Sequence, residues 1–125
     1  MTDHLPEKPP RKTGFAHFFA AARYSRDGAL RLLRESAFRQ ELFGGVVILG
    51  LLVLAGATFG QLIGFVILLL LLFAVEALNT AVEELVDHVS PGWAEFAKHA
   101  KDMCSFAVAC LLAANGLYVI WILFG

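Results

Sequence analysis

Two stretches of the chain, Leu42 to Val75 and Met103 to Gly125, contain no Asp, Glu, Lys, Arg or His. As one straight helix the first would be about 51 Å long, against a hydrocarbon core of about 30 Å. It therefore reads as two spans, near 42–57 and 62–78, joined at Gly56-Ala57-Thr58-Phe59-Gly60-Gln61, where small, β-branched and polar residues gather. The second stretch supplies a third span near 103–124. Ahead of these, Phe15, Phe18, Phe19 and Ala22 share one helical side while Arg23, Arg26 and Arg31 mix into the other. That pattern predicts an amphipathic surface helix over about 14–28, with Gly28 as a bend before the first span. A plain membrane anchor with snorkelling arginines fits it equally. Residues 1–12, with Pro6, Pro9 and Pro10 among charges, read as a disordered start, and 13–125 as one membrane domain.

Between the second and third spans, Ser90 followed by Pro91 reads as an N-cap with proline at the first helical position. The second span should then run on to about Val89, turn sharply and return, making a helical hairpin whose charged end covers about 79–102. Composition agrees with this reading: hydrophobic residues make up 58% of the 125 and charged ones 17%, where soluble domains carry about 25% charged. A soluble domain is thereby excluded. All of the 10 Lys and Arg precede the first span or lie between the second and third. By the positive-inside rule the N-terminus is cytoplasmic and the C-terminus of this multi-pass protein faces outward. No short apolar region ending in a small-residue cleavage site follows the early basic residues, so a signal peptide is not expected. The net charge of −1 gives no pointer to nucleic acid. Cys104 and Cys110 fall on different sides of a helix and read as packing residues. Three spans in so short a chain give one copy few helices with which to enclose a site, and a homo-oligomer is expected.

The candidate chemistry lies just past the second span. Glu76, Asn79, Glu83 and Asp87 follow one another at i, i+3, i+7 and i+11, within a sector of about 80° on a helix. Glu76 directly follows an apolar run, where an ionisable group is costly unless it faces protein, water or ligand. If the turn sits at Ser90, Asn79 comes level with Lys101, and Glu76 within a turn of Lys101 and Asp102. The same count about Thr58 and Phe59 brings Glu35 level with Glu83, and Glu41 level with Glu76. Carboxylates from two helices, a lysine and an amide are the parts of a phosphoryl-transfer site: Mg2+ takes hard oxygen ligands and bridges nucleotide phosphates, lysine neutralises their charge, and a carboxylate can accept a hydroxyl proton. The same residues would also serve as an ion-pair network joining two helices, and His88 and His99 could meet across the turn as a metal site or stand solvated. There is no glycine-rich phosphate loop. An oligomeric ion pathway past Glu76 and Asp87 is a further alternative, but no polar stripe continues through residues 42–75, and only Asn115 interrupts the third span.

The segments E-S-A-F-R-Q-E at 35–41, E-A-L-N-T-A-V-E-E-L-V-D at 76–87 and A-K-D-M-C-S-F-A-V at 100–108, in this order and spacing, resemble the prokaryotic diacylglycerol kinase family of small three-span membrane enzymes. A-F-R-Q-E favours its Gram-negative diacylglycerol kinases over the undecaprenol kinases. The resemblance implies an all-α integral membrane fold with a surface helix and three transmembrane helices. It also implies a homotrimer with sites shared between subunits, and direct transfer of the ATP γ-phosphate to diacylglycerol. By motif match Glu76 would be the general base, with Asn79 orienting it or a phosphate. Glu35 and Glu83 would hold Mg2+ or a similar divalent metal at the ATP phosphates, and Lys101 and Asp102 would meet the nucleotide. Tyr24 and Ser25 would line the nucleotide or lipid entrance, with Arg39, Gln40 and Ser105 nearer the lipid. Two departures concern that entrance: His17 and Ala20 stand where a basic pair is expected, and the stretch from Tyr24 to Glu35 is one residue short.

Overall fold

The computed structural model describes residues 5–125, and the start expected to be disordered falls partly outside them; 5–13 form no regular element. The described residues are all-helical: α1 (Gly14–Leu32), α2 (Ser36–Leu54), α3 (Phe59–Val89) and α4 (Glu95–Phe124). Three of these, α2, α3 and α4, are long and apolar enough to cross a membrane. The chain divides into two compact units, one reaching to Arg31 and the other Leu32–Gly125. In the first unit α1 continues through Gly28 to Leu32 without the expected bend. A glycine inside a helix costs only about 1 kcal/mol relative to alanine, so the flanking residues carry the helix across it. Phe15, Phe18 and Phe19 are exposed along α1, and Ala20 is buried.

In the second unit, residues 33–35 form a turn held by Glu35 N–H donating to the Leu32 carbonyl at 2.9 Å and by the Arg39 guanidinium donating to the Leu33 carbonyl at 2.9 Å. Helix α2 then starts at Ser36, six residues before the apolar stretch begins, and ends at Leu54 rather than near 57. The turn after it is as the sequence suggests. Gly56 takes φ +83, left-handed backbone that favours glycine, and Thr58 caps α3 in a capping box with Gln61, at 3.2 Å and 2.8 Å.

The other turn differs from expectation. Ser90 ends α3, its N–H bonding the Val86 carbonyl at 2.8 Å, and its hydroxyl donates to the Gly92 carbonyl at 3.2 Å. Helix α4 starts only at Glu95, after Ala94, so Ser90 does not cap it and the loop is longer than a Ser-Pro start implies.

Helices α3 and α4 form the closer pair, and α2 packs on α3. Phe38 meets Phe73 edge to face at 5.1 Å, and Gly45 lies where a Cβ would collide with Leu69. Among the described residues, two polar ties join the apolar parts of α3 and α4. The buried Asn115 amide donates to the Leu68 carbonyl at 3.2 Å and to Leu111 at 2.8 Å. Further along, the Tyr118 hydroxyl donates to the Gln61 carbonyl at 3.1 Å, passing where a Cβ on Gly64 would stand. Because the Gly64→Ala methyl would displace this hydroxyl, it and Tyr118→Phe should each cost about 1 kcal/mol, and the double variant scarcely more. Unfolding titrations in mixed micelles read the three values; additive losses would show that the methyl does not act through Tyr118.

Candidate active site

The acidic face of α3 begins inside the packed region and ends in solvent. Glu76 is 5% exposed, in the buried set with Leu72 and Thr80, whereas Glu83 and Asp87 are exposed. One continuous helix thus carries its apolar run straight into the carboxylates. The Asn79 amide donates to Glu83 at 3.4 Å, while its own Oδ1 is buried without a partner. Across from α3, Glu41 of α2 stands close enough to Glu76 for the two carboxyls to interact. The second Glu41 oxygen, Oε2, is buried and unpartnered. The level count about the Gly56 turn is met here, since it paired these two residues.

The count about Ser90 is not. Lys101 pairs with Asp87 at 2.6 Å, two turns of α3 beyond Asn79. Lys98 and Asp102 pair with each other at 2.6 Å, and His99 lies 3.8 Å from Glu95. The lysines of α4 therefore stand at the turn end of the hairpin. There, Asp87, Gly92, Trp93, Lys98, Lys101 and Asp102 are among the residues around a depression of about 450 Å³, beside which Trp93 is 82% exposed. Both cysteines are free thiols.

A second concavity, a groove of about 610 Å³, runs between α2, α3 and α4 from Gln40 and Glu41 past Gly44 and Gly45 to Asn115. It is mostly apolar, with unpartnered acceptors at Glu41 Oε2 and Asn115 Oδ1. Arg39 and Ser105 are exposed, as are Tyr24 and Ser25 on α1 in the other unit. Glu35 is half-buried at the start of α2. Among the described residues no three His, Cys, Asp or Glu side chains converge as a metal cage. A divalent ion that shares its shell with phosphate oxygens needs only one or two protein carboxylates.

Sequence reasoning assigned no role to Glu41, although the level count singled it out. Trp93 carried no periodic signal at all.

The sequence model described as "Prokaryotic diacylglycerol kinase" matches residues 23–123. Named relatives agree with it. A Sinorhizobium diacylglycerol kinase is 49% identical over 112 residues, 90% of this chain and 82% of the relative. The Escherichia coli K12 diacylglycerol kinase is 37% identical over 113 residues, 87% and 88% of the two chains. That of Haemophilus influenzae is 33% identical over 112 residues, 89% and 93%.

The Asp87–Lys101 pair is short but lies at an exposed end, with side chains 65% and 40% accessible, where solvent screens such pairs to about 0–1 kcal/mol. Asp87→Ala should accordingly change stability by less than about 1 kcal/mol. Micellar unfolding measures it, and a much larger loss would make the pair a structural clamp.

Proposed function

Because the chain belongs to the prokaryotic diacylglycerol kinase family, we propose that it transfers the γ-phosphate of ATP directly to the hydroxyl of diacylglycerol, giving phosphatidate. The observation that carries this reading is Glu76, a carboxyl only 5% exposed at the junction of the apolar run and the acidic face of α3. A lipid hydroxyl and a water-borne nucleotide can share that depth.

Glu76 acts as the general base. It takes the proton of the lipid hydroxyl as that oxygen forms its bond to the γ-phosphorus, the bond from the γ-phosphorus to the bridging oxygen breaks, and ADP leaves. Asn79 holds Glu83 and directs its unpartnered Oδ1 toward the reacting groups. Glu35 and Glu83 hold Mg2+, which when bound neutralises charge on the phosphates. The nucleotide lies at the hairpin end, where Lys101 and Lys98 meet phosphate and Asp102 orients Lys98. Gln40 borders the apolar groove that suits an acyl chain, with Arg39 and Ser105 nearer the headgroup.

The exposed Phe15, Phe18 and Phe19 suit α1 to the membrane interface. The placement of basic residues supports a cytoplasmic N-terminus, a periplasmic C-terminus and a home in the inner membrane. Three copies complete each site as a homotrimer, which is consistent with the large apolar side chains that remain exposed on α2, α3 and α4.

The test is transfer of labelled phosphate from ATP to diacylglycerol and, in parallel, to undecaprenol in mixed micelles. Glu76→Gln should lower kcat by at least about 100-fold while ATP-analogue binding persists. Chelation of magnesium should abolish transfer in the unaltered protein. Near-full transfer by Glu76→Gln would remove Glu76 as the base, and a preference for undecaprenol would change the substrate.

A further inference from the structure

Glu35 sits in the turn that leads into α2, and one residue closes on it from both sides. The Arg39 guanidinium donates through Nη1 to the Leu33 carbonyl at 2.9 Å, and the Arg39 N–H donates to the Glu35 carbonyl at 3.1 Å. The Glu35 N–H is tied in its turn to the Leu32 carbonyl at 2.9 Å. An N-cap residue commonly steadies its helix with a side-chain bond to the first N–H groups. Glu35 holds that position in α2 and makes no such bond, so the side-chain tie at this turn comes from Arg39. The Leu33 carbonyl lies just past the end of α1, where backbone oxygens lack helical partners and a cation is favoured. Beside Arg39, Phe38 is buried and meets Phe73 edge to face at 5.1 Å. Phe73 stands about one turn of α3 before Glu76, so the first turn of α2 is fixed against the helix of the site, and Arg39 carries that fixed position back to Glu35.

We propose, on the reading of Glu35 as a ligand of the ion held with ATP, that Arg39 is a positioning residue for the nucleotide side of the reaction: it clasps the turn 33–35 so that Glu35 stands where the nucleotide meets the acidic face of α3. Arg39 itself touches neither phosphate nor the lipid hydroxyl. Its effect reaches the reaction through Glu35 and belongs to the binding of MgATP. A guanidinium that gripped the lipid headgroup would act on diacylglycerol instead, and the two roles separate in the kinetics.

Arg39→Met keeps the apolar stem and removes the donors, whereas Arg39→Lys keeps one charged donor. In mixed micelles with a short-chain diacylglycerol, Arg39→Met should raise KM for MgATP about tenfold, with KM for diacylglycerol within about twofold of the parent. Equilibrium binding of a non-hydrolysable ATP analogue with magnesium should weaken by the same factor. Arg39→Lys should stay within about threefold of the parent in both readouts. Because Arg39 acts through Glu35, adding Arg39→Met to Glu35→Gln should weaken analogue binding scarcely further. A KM rise confined to diacylglycerol, parental values for both substrates, an Arg39→Lys protein no better than Arg39→Met, or a fully multiplied loss in the double variant would each overturn the proposal. Should Arg39→Met fail to fold, the shorter, polar Arg39→Gln takes its place in every arm. Glu35→Gln alone keeps the two claims apart. Parental analogue binding by that variant removes Glu35 as a ligand, while weakened binding by it beside parental binding by Arg39→Met removes only the clasp.

Discussion

A carboxyl group at the end of a membrane-spanning run has to be held by protein, water or ligand, because lipid offers it nothing, and on α3 that constraint falls on Glu76. Glu76 follows the apolar run of α3 without a break in the helix, so its depth is set by how far that run extends. Everything charged on α3 beyond it, Glu83 and Asp87 included, emerges progressively into solvent. The arrangement makes one helix both the ruler of the hydrocarbon core and the carrier of the acidic face.

The neighbouring helices keep that ruler from sliding. The Gly56 turn and the Thr58 capping box fix where α3 begins relative to α2, which is why Glu41 arrives beside Glu76. On the other side, the Asn115 and Tyr118 hydrogen bonds hold α4 to backbone carbonyls of α3 at two heights. Such ties matter more among lipid than in water, where apolar burial would drive association by itself. Among the described residues, Asn115 and Tyr118 thus fix the register of α3 and α4.

Much of this was legible in the sequence for a physical reason. Three apolar stretches cannot be arranged otherwise in a bilayer, and the i, i+3, i+7, i+11 spacing puts Glu76, Asn79, Glu83 and Asp87 on one face in any helix. The tight Gly56 turn let residue counting work, and the Glu41–Glu76 contact came out as counted. The Ser90 turn did so less well near the loop, because Ser90 closes α3 while α4 begins only at Glu95, and Lys101 meets Asp87 in place of Asn79. Farther from the loop, Asn115 and Tyr118 meet Leu68 and Gln61 within about one turn of where a count about Ser90 puts them. Gly28 likewise left α1 unbent, since a helix continues through glycine at small cost.

The depth of Glu76 is the central claim, and nitroxide labels placed one at a time from Leu72 to Asp87, with Cys104 and Cys110 replaced by alanine, measure it in bilayers. Accessibility should pass from oxygen dissolved in lipid to a water-soluble nickel reagent within about one helical turn of Glu76. Water access continuing toward Leu72, or a crossover beyond Glu83, would contradict the account, since lipid hydroxyl and nucleotide would then not meet at this carboxyl.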